Sequence, residues 1–95
     1  MNEVIYKYQL PTINPTLVWM PGDAKILHVD EQNGLLFVWA IVNTSNHFKN
    51  RKFFVRGTGQ KIEDDMRGIQ NSARYINTVQ MSNGLVWHVF DGGEL

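Results

Sequence analysis

Asn33-Gly34 stands between two runs of strand-forming residues, Ala24 to Gln32 and Leu35 to Val42. A type I′ hairpin needs positive φ at both central positions, and Asn-Gly adopts this at little cost, so the dipeptide specifies an antiparallel hairpin. The second arm, LLFVWAIV, is apolar at every position and reads as a central strand covered on both faces, with Trp39 in the core. Asn83-Gly84 repeats the signal between Tyr75 to Met81 and Leu85 to Phe90. The two hairpins look alike, but hairpin chemistry alone accounts for that, and no internal repeat is inferred.

The other strands follow from alternation and from punctuation. Val4 to Leu10 alternates strong β formers and ends at Pro11, which cannot donate to a ladder. Thr16 to Met20 is a short strand closed by the Pro21-Gly22-Asp23 turn. Asn43 to Asn50 reads as a polar loop, Arg51 to Arg56 as a further strand, and Asp91 to Leu95 as a frayed tail. Ile62 to Ala73 is read as a loop with one helical turn, because Asp64 or Asp65 can cap a helix that Gly68 weakens by about 1 kcal/mol. These elements predict one mostly β domain over residues 1–95, a small antiparallel β-sandwich or barrel-like fold of about seven strands with at most one short helix. Its edge strands invite pairing with another subunit or a partner.

Composition narrows the function. The 95 residues contain no cysteine, which excludes a disulfide framework and thiolate metal sites and fits a reducing compartment. Nine basic residues balance nine acidic ones. Non-specific nucleic-acid binding, which depends on a surplus of positive charge, is therefore not expected. The amino terminus lacks a basic then apolar signal pattern, and the run from Leu35 to Val42 is too short to cross a bilayer, so no membrane association is expected.

The most specific local feature is Arg56-Gly57-Thr58-Gly59-Gln60-Lys61. Two glycines one residue apart let backbone N–H groups turn toward a common point suited to an anion. Arg56 and Lys61 bracket that point, and the Thr58 hydroxyl can donate to an oxygen. The six residues are thus a candidate phosphate or nucleotide site, although the loop lacks a Walker ending and a glycine loop that simply reverses the chain is the default reading. His28, His47 and His88 show no metal-ligand spacing, and His28 and His88 meet only if their hairpins pack together; hydrogen-bonded structural roles are the default. Neither metal nor cofactor is expected. Glu63-Asp64-Asp65 reads as a solvated loop. Ser45, Ser72 and Ser82 fall in loops without a nucleophile elbow, so no catalytic residue is assigned. Trp19, beside Met20 and Pro21, is the tryptophan best placed for an exposed contact. Tyr6 and Tyr8 are read as core first, and as an aromatic binding face or subunit interface second.

Taken in order, Ile5-Tyr6-Lys7-Tyr8, Met20-Pro21, Ala24-Lys25-Ile26-Leu27-His28-Val29, Gln32-Asn33-Gly34, Trp39-Ala40, Gly57-Thr58-Gly59 and Val86-Trp87-His88-Val89-Phe90 form a series. The series resembles a family of short, functionally uncharacterised proteins of tailed phages and prophages. The resemblance spans Val4 to Phe90, with the segment from Glu63 to Arg74 longer than expected, and it supplies no catalytic residues. It implies a bacterial host cytoplasm and a protein that acts on host machinery by stoichiometric binding. The expectation is a non-enzymatic, oligomeric binding protein that antagonises host defence by sequestering a nucleotide-like signal or by binding a host protein. Two alternatives remain: an accessory virion or assembly protein, and a small nucleotide-processing enzyme using His28 or His88 as base.

Overall fold

The structure, a computed structural model, describes residues 2–13, 15–62 and 73–95. Seven strands run in chain order: β1 (Glu3–Gln9), β2 (Thr16–Pro21), β3 (Lys25–Gln32), β4 (Leu35–Asn43), β5 (Phe48–Gly57), β6 (Arg74–Gln80) and β7 (Val86–Glu94). They form two antiparallel sheets, one ordered β1-β4-β3 and the other β2-β5-β7-β6. This is the expected antiparallel sandwich; it is open, with no closed barrel, and no helix occurs among the described residues. The expected helical turn lies outside the described residues.

Side chains alternate across each strand, so every second residue faces the other sheet. Leu36, Val38, Ala40 and Val42 of β4 and Val29 of β3 meet Val18, Met20, Phe53, Val55, Val79 and Val89 of the second sheet in one buried cluster. Asn33 (φ 54°) and Gly34 (φ 82°) are both left-handed, as a type I′ hairpin requires. The β6–β7 hairpin is built differently. Its Met81 carbonyl accepts from the Gly84 N–H at 3.0 Å, and of the Asn83-Gly84 pair only Gly84 is left-handed. The two Asn-Gly hairpins are therefore not copies of one unit.

Three expectations are corrected. β4 is central in its sheet but covered on one face only; Phe37, Trp39 and Ile41 on its other face remain half-buried. Among the described residues no third layer packs on them. β5 begins at Phe48, inside the expected loop, because Phe48 to Asn50 pair with Trp19 to Pro21. The expected frayed tail is ladder, since β7 runs to Glu94 opposite Arg51.

That extension depends on a bulge. Lys52 pairs with Gly93 and Phe53 with Asp91, which leaves Gly92 as the extra residue. A Cβ at Gly92 would lie 2.9 Å from Phe54 Cε2 and 3.2 Å from the Lys52 carbonyl oxygen. Gly92→Ala is expected to cost about 1–3 kcal/mol by overpacking, read as a lower denaturant midpoint at unchanged slope.

Polar contacts link the sheets along β3 and β6. The Asn77 side-chain amide accepts the Val29 N–H at 2.9 Å and donates to the Val29 carbonyl at 2.7 Å. Glu31 Oε1 accepts the Ser82 N–H at 2.6 Å. At β1 the opposite holds: Tyr8 packs on the core, while Val4 and Tyr6 on the same face stay exposed.

Candidate functional site

The glycine segment follows directly from β5. Gly57 accepts the Gln60 N–H at 3.0 Å and donates its own N–H to Gln60 Oε1 at 2.9 Å, so the turn is closed on itself. Gly59 takes φ 86°, a left-handed conformation that suits glycine. Gly57 also lies against Trp87, whose ring a Cβ there would meet at 3.5 Å. The Gly57 N–H, one of the groups expected to face an anion, is thus already used inside the turn.

Sheet register supplies a connection that the sequence does not show. Arg56 and Thr78 both pair with His88, which sits between them on β7. His88 Nε2 hydrogen-bonds Thr58 Oγ1 at 2.8 Å, and Nδ1 hydrogen-bonds Thr78 Oγ1 at 2.9 Å. Thr78 Oγ1 in turn meets the Tyr75 hydroxyl at 2.5 Å. A chain of hydrogen bonds therefore runs Thr58–His88–Thr78–Tyr75 over the outward face of the four-stranded sheet. With both nitrogens engaged by hydroxyls, the imidazole is held in one orientation and ties the glycine turn to β6.

Arg56 departs from its expected place beside the loop. Only 2% of it is exposed, and its guanidinium carbon lies 5.7 Å from the centre of the Phe54 ring. The alternation of β5 puts Arg56 and Phe54 on the same face, so the long side chain covers an aromatic neighbour instead of bracketing the turn. Of the six expected ligand residues, Thr58, Gly59, Gln60 and Lys61 are exposed, Gly57 is half-buried and Arg56 is buried on the outward face of the sheet.

His28 and His88 do not converge. His28 pairs with Trp39 on the outward face of the three-stranded sheet, and His88 is on the outward face of the other. His28 Nε2 lies 3.7 Å from Asp30 Oδ2, both side chains being more than half exposed. Among the described residues no three His, Asp or Glu side chains gather in a group able to hold a metal ion. Ser45 and Ser82 lie in loops, whereas Ser72 and Glu63-Asp64-Asp65 lie outside the described residues. Tyr8 is half-buried against the core, and burial, with Tyr6 beside it, pushes its phenol above the usual value.

Two concavities mark the ends of the sandwich. One, of about 330 Å³, lies among Leu10, Leu36, Met81 and Trp87 near both hairpin tips. The other, of about 260 Å³, is polar and lies among Gly22, Asp23, Asn46 and His47. Its walls are bonded to one another: Gly22 N–H to the His47 carbonyl at 2.8 Å, and Asn46 Nδ2 to the Gly22 carbonyl at 2.9 Å.

The outward face of β2 carries the most exposed aromatic surface of the second sheet. Leu17 and Trp19 project from the same side of this edge strand, and Trp19 is 59% exposed. Phe48, also exposed, places its ring 5.9 Å from that of Trp19. Lys52 stands opposite Leu17, and Asn50 opposite Trp19. An apolar centre with polar neighbours is the composition of a protein-contact patch. Trp19 was legible as an exposed contact from its position beside Met20-Pro21, but Phe48 was not, because the strand that carries it reads as loop.

The family described as "Domain of unknown function (DUF7352)" matches residues 1–94 of the chain. No curated protein and no solved structure matches it.

Proposed function

The chain belongs to this domain family of unknown function, and we propose that it acts as a non-enzymatic binding module that engages a partner protein through the Leu17–Trp19–Phe48 patch. The observation that carries this reading is the pair of exposed aromatic rings on an edge strand, 5.9 Å apart and flanked by polar side chains. Large rigid aromatics contribute much of the affinity of protein interfaces at small entropic cost. The glycine turn is the weaker site for a nucleotide-like anion, because the Gly57 N–H, the Gln60 N–H and the Thr58 hydroxyl already have partners. The resemblance to tailed-phage proteins makes a bacterial host protein, met in the host cytoplasm, the first partner to test.

Affinity capture from a bacterial lysate, followed by native mass spectrometry, tests the reading. A host protein retained at fixed stoichiometry by the wild type is expected to be lost from Trp19→Ala, at a cost of about 2 kcal/mol or roughly 30-fold in affinity. Trp19 is mostly solvated, so the fold is expected to survive. Thr58→Ala and Lys61→Ala are expected to retain the partner. A stoichiometric small molecule that is lost from those two variants and kept by Trp19→Ala would replace this reading with the anion site.

A further inference from the structure

We propose that β1 is a self-complementary edge through which two copies of the chain join their three-stranded sheets into one six-stranded sheet. This inference uses a different surface from the aromatic patch on β2 and stands or falls independently of it.

The edge is open along its whole length. β1 is the outer strand of its sheet, and every residue from Glu3 to Gln9 except Tyr8 is exposed. Long exposed edges with apolar side chains are sites of strand pairing. Val4, Ile5 and Tyr6 form such a run, and Ile5 is 59% exposed.

Backbone polarity defines which groups are offered. Leu10 donates its N–H to the Leu36 carbonyl at 2.9 Å, and the Asn2 carbonyl accepts from Thr44 at 3.0 Å. In an antiparallel ladder such residues alternate with ones whose backbone groups point the other way. The even-numbered residues therefore face β4, and Glu3, Ile5, Lys7 and Gln9 direct their N–H and C=O groups at the free edge.

The side chains select a register. In an antiparallel pair of β1 strands centred on Ile5, each Ile5 meets the other Ile5, and Glu3 of each copy stands opposite Lys7 of the other. Both charged residues lie on the outward face, since Glu3 pairs with Asn43 and Lys7 with Trp39 of β4. Each two-fold pair of chains thus gains two opposite-charge cross-strand contacts, and all three facing pairs are of the hydrogen-bonded type. On the inner face, Val4 of one copy meets Tyr6 of the other, so residues left uncovered in one sandwich are covered by its neighbour. In the single chain Lys7 Nζ reaches across β4, donating to Gln32 Oε1 of β3 and lying 4.7 Å from the centre of the Phe37 ring, so its pairing with the other copy's Glu3 requires the exposed side chain to turn back to the edge. The same patch meets itself about a two-fold axis, which closes the assembly at two copies.

The absence of native cysteine makes the register directly testable. Ile5→Cys, oxidised under native conditions, is expected to give a disulfide-linked dimer, while Leu27→Cys on the distant edge strand β3 stays monomeric. Sedimentation is expected to show a wild-type dimer that weakens about tenfold or more in Glu3→Lys and in Lys7→Glu, and recovers in the double reversal. These side chains are exposed, so circular dichroism of each variant is expected to match the wild type. A wild type that stays monomeric at its highest soluble concentration, or a dimer indifferent to both charge reversals, overturns the proposal. Cross-linking through Tyr6→Cys in preference to Ile5→Cys overturns the register.

Discussion

Asp91→Ala is expected to be the most damaging single substitution in the described part of the protein, lowering stability by about 3–5 kcal/mol. Asp91 faces the interior and binds Arg51 through two parallel hydrogen bonds, 3.0 Å from Nε to Oδ1 and 2.6 Å from Nη2 to Oδ2. Both partners are largely screened from water, with 8% of the Asp91 side chain and 15% of the Arg51 side chain accessible. Donating hydrogen bonds to the Asp91 carboxylate raises the Arg51 pKa above its ordinary value, although burial acts in the opposite direction. Removing the carboxylate leaves a largely buried guanidinium without its hydrogen-bonded counter-charge, held by the Ala24 carbonyl at 2.9 Å with Glu94 and Asp23 as the remaining nearby charges. It also leaves the Gly93 N–H without the Oδ1 acceptor it meets at 2.9 Å. For a domain with a total stability of about 5–15 kcal/mol, that loss is a large fraction of the whole. Denaturant unfolding at constant slope measures it directly. Replacing both charged residues by apolar ones of similar volume is expected to recover much of the loss, because the pair's own desolvation is then avoided. A cost below about 1 kcal/mol for Asp91→Ala would show that water reaches the pair as it does a surface ion pair.

Asn77→Ala is expected to cost about 2–4 kcal/mol, from a side chain that makes no charged contact. Its amide gives β3 both the donor and the acceptor that a neighbouring strand would supply, and Val29 at the receiving end is fully buried. Losing it strands one buried N–H and one buried C=O, each worth about 1–3 kcal/mol when left unmade. Asn77→Asp separates the two halves of the effect. The carboxylate still accepts from Val29 N–H but sets an oxygen against the Val29 carbonyl, so its stability is expected to lie near that of the alanine variant. Hydrogen exchange locates the damage: the Val29 amide is expected to lose protection in Asn77→Ala before the β5–β7 ladder does. Equal protection of Val29 in wild type and variant would mean that backbone packing, and not the amide, closes this side of the sandwich.

Both residues were invisible as a site in the sequence because the contacts are non-local. Asp91 lies 40 residues from Arg51, and Asn77 lies 48 from Val29. Asp91 read as the start of a frayed tail, since two glycines after it suggest a loose end. Those glycines instead form the bulge that returns β7 to β5. The glycine turn was legible as a turn, since glycine there has a local conformational reason. Its hydrogen bonds to His88, 30 residues away, required the strand register.

What the chain's own letters determined is the set of local decisions. Period-two alternation named the strands, Asn33-Gly34 imposed a type I′ turn through the φ values those residues tolerate, and Pro11 and Pro21-Gly22 ended strands by withholding donors or reversing the chain. Tertiary structure alone decided which faces are covered. LLFVWAIV is apolar on both sides, yet one side meets a second sheet and the other meets solvent, because coverage depends on how many layers seven strands can make. In the same way Arg56 is buried and Trp19 is left exposed, although both lie on the outward face of their sheet and hydropathy alone ranks them the other way. Alternation assigns a residue to a face, but burial is a property of what lies across from that face, and the sequence holds that information only through contacts between distant strands.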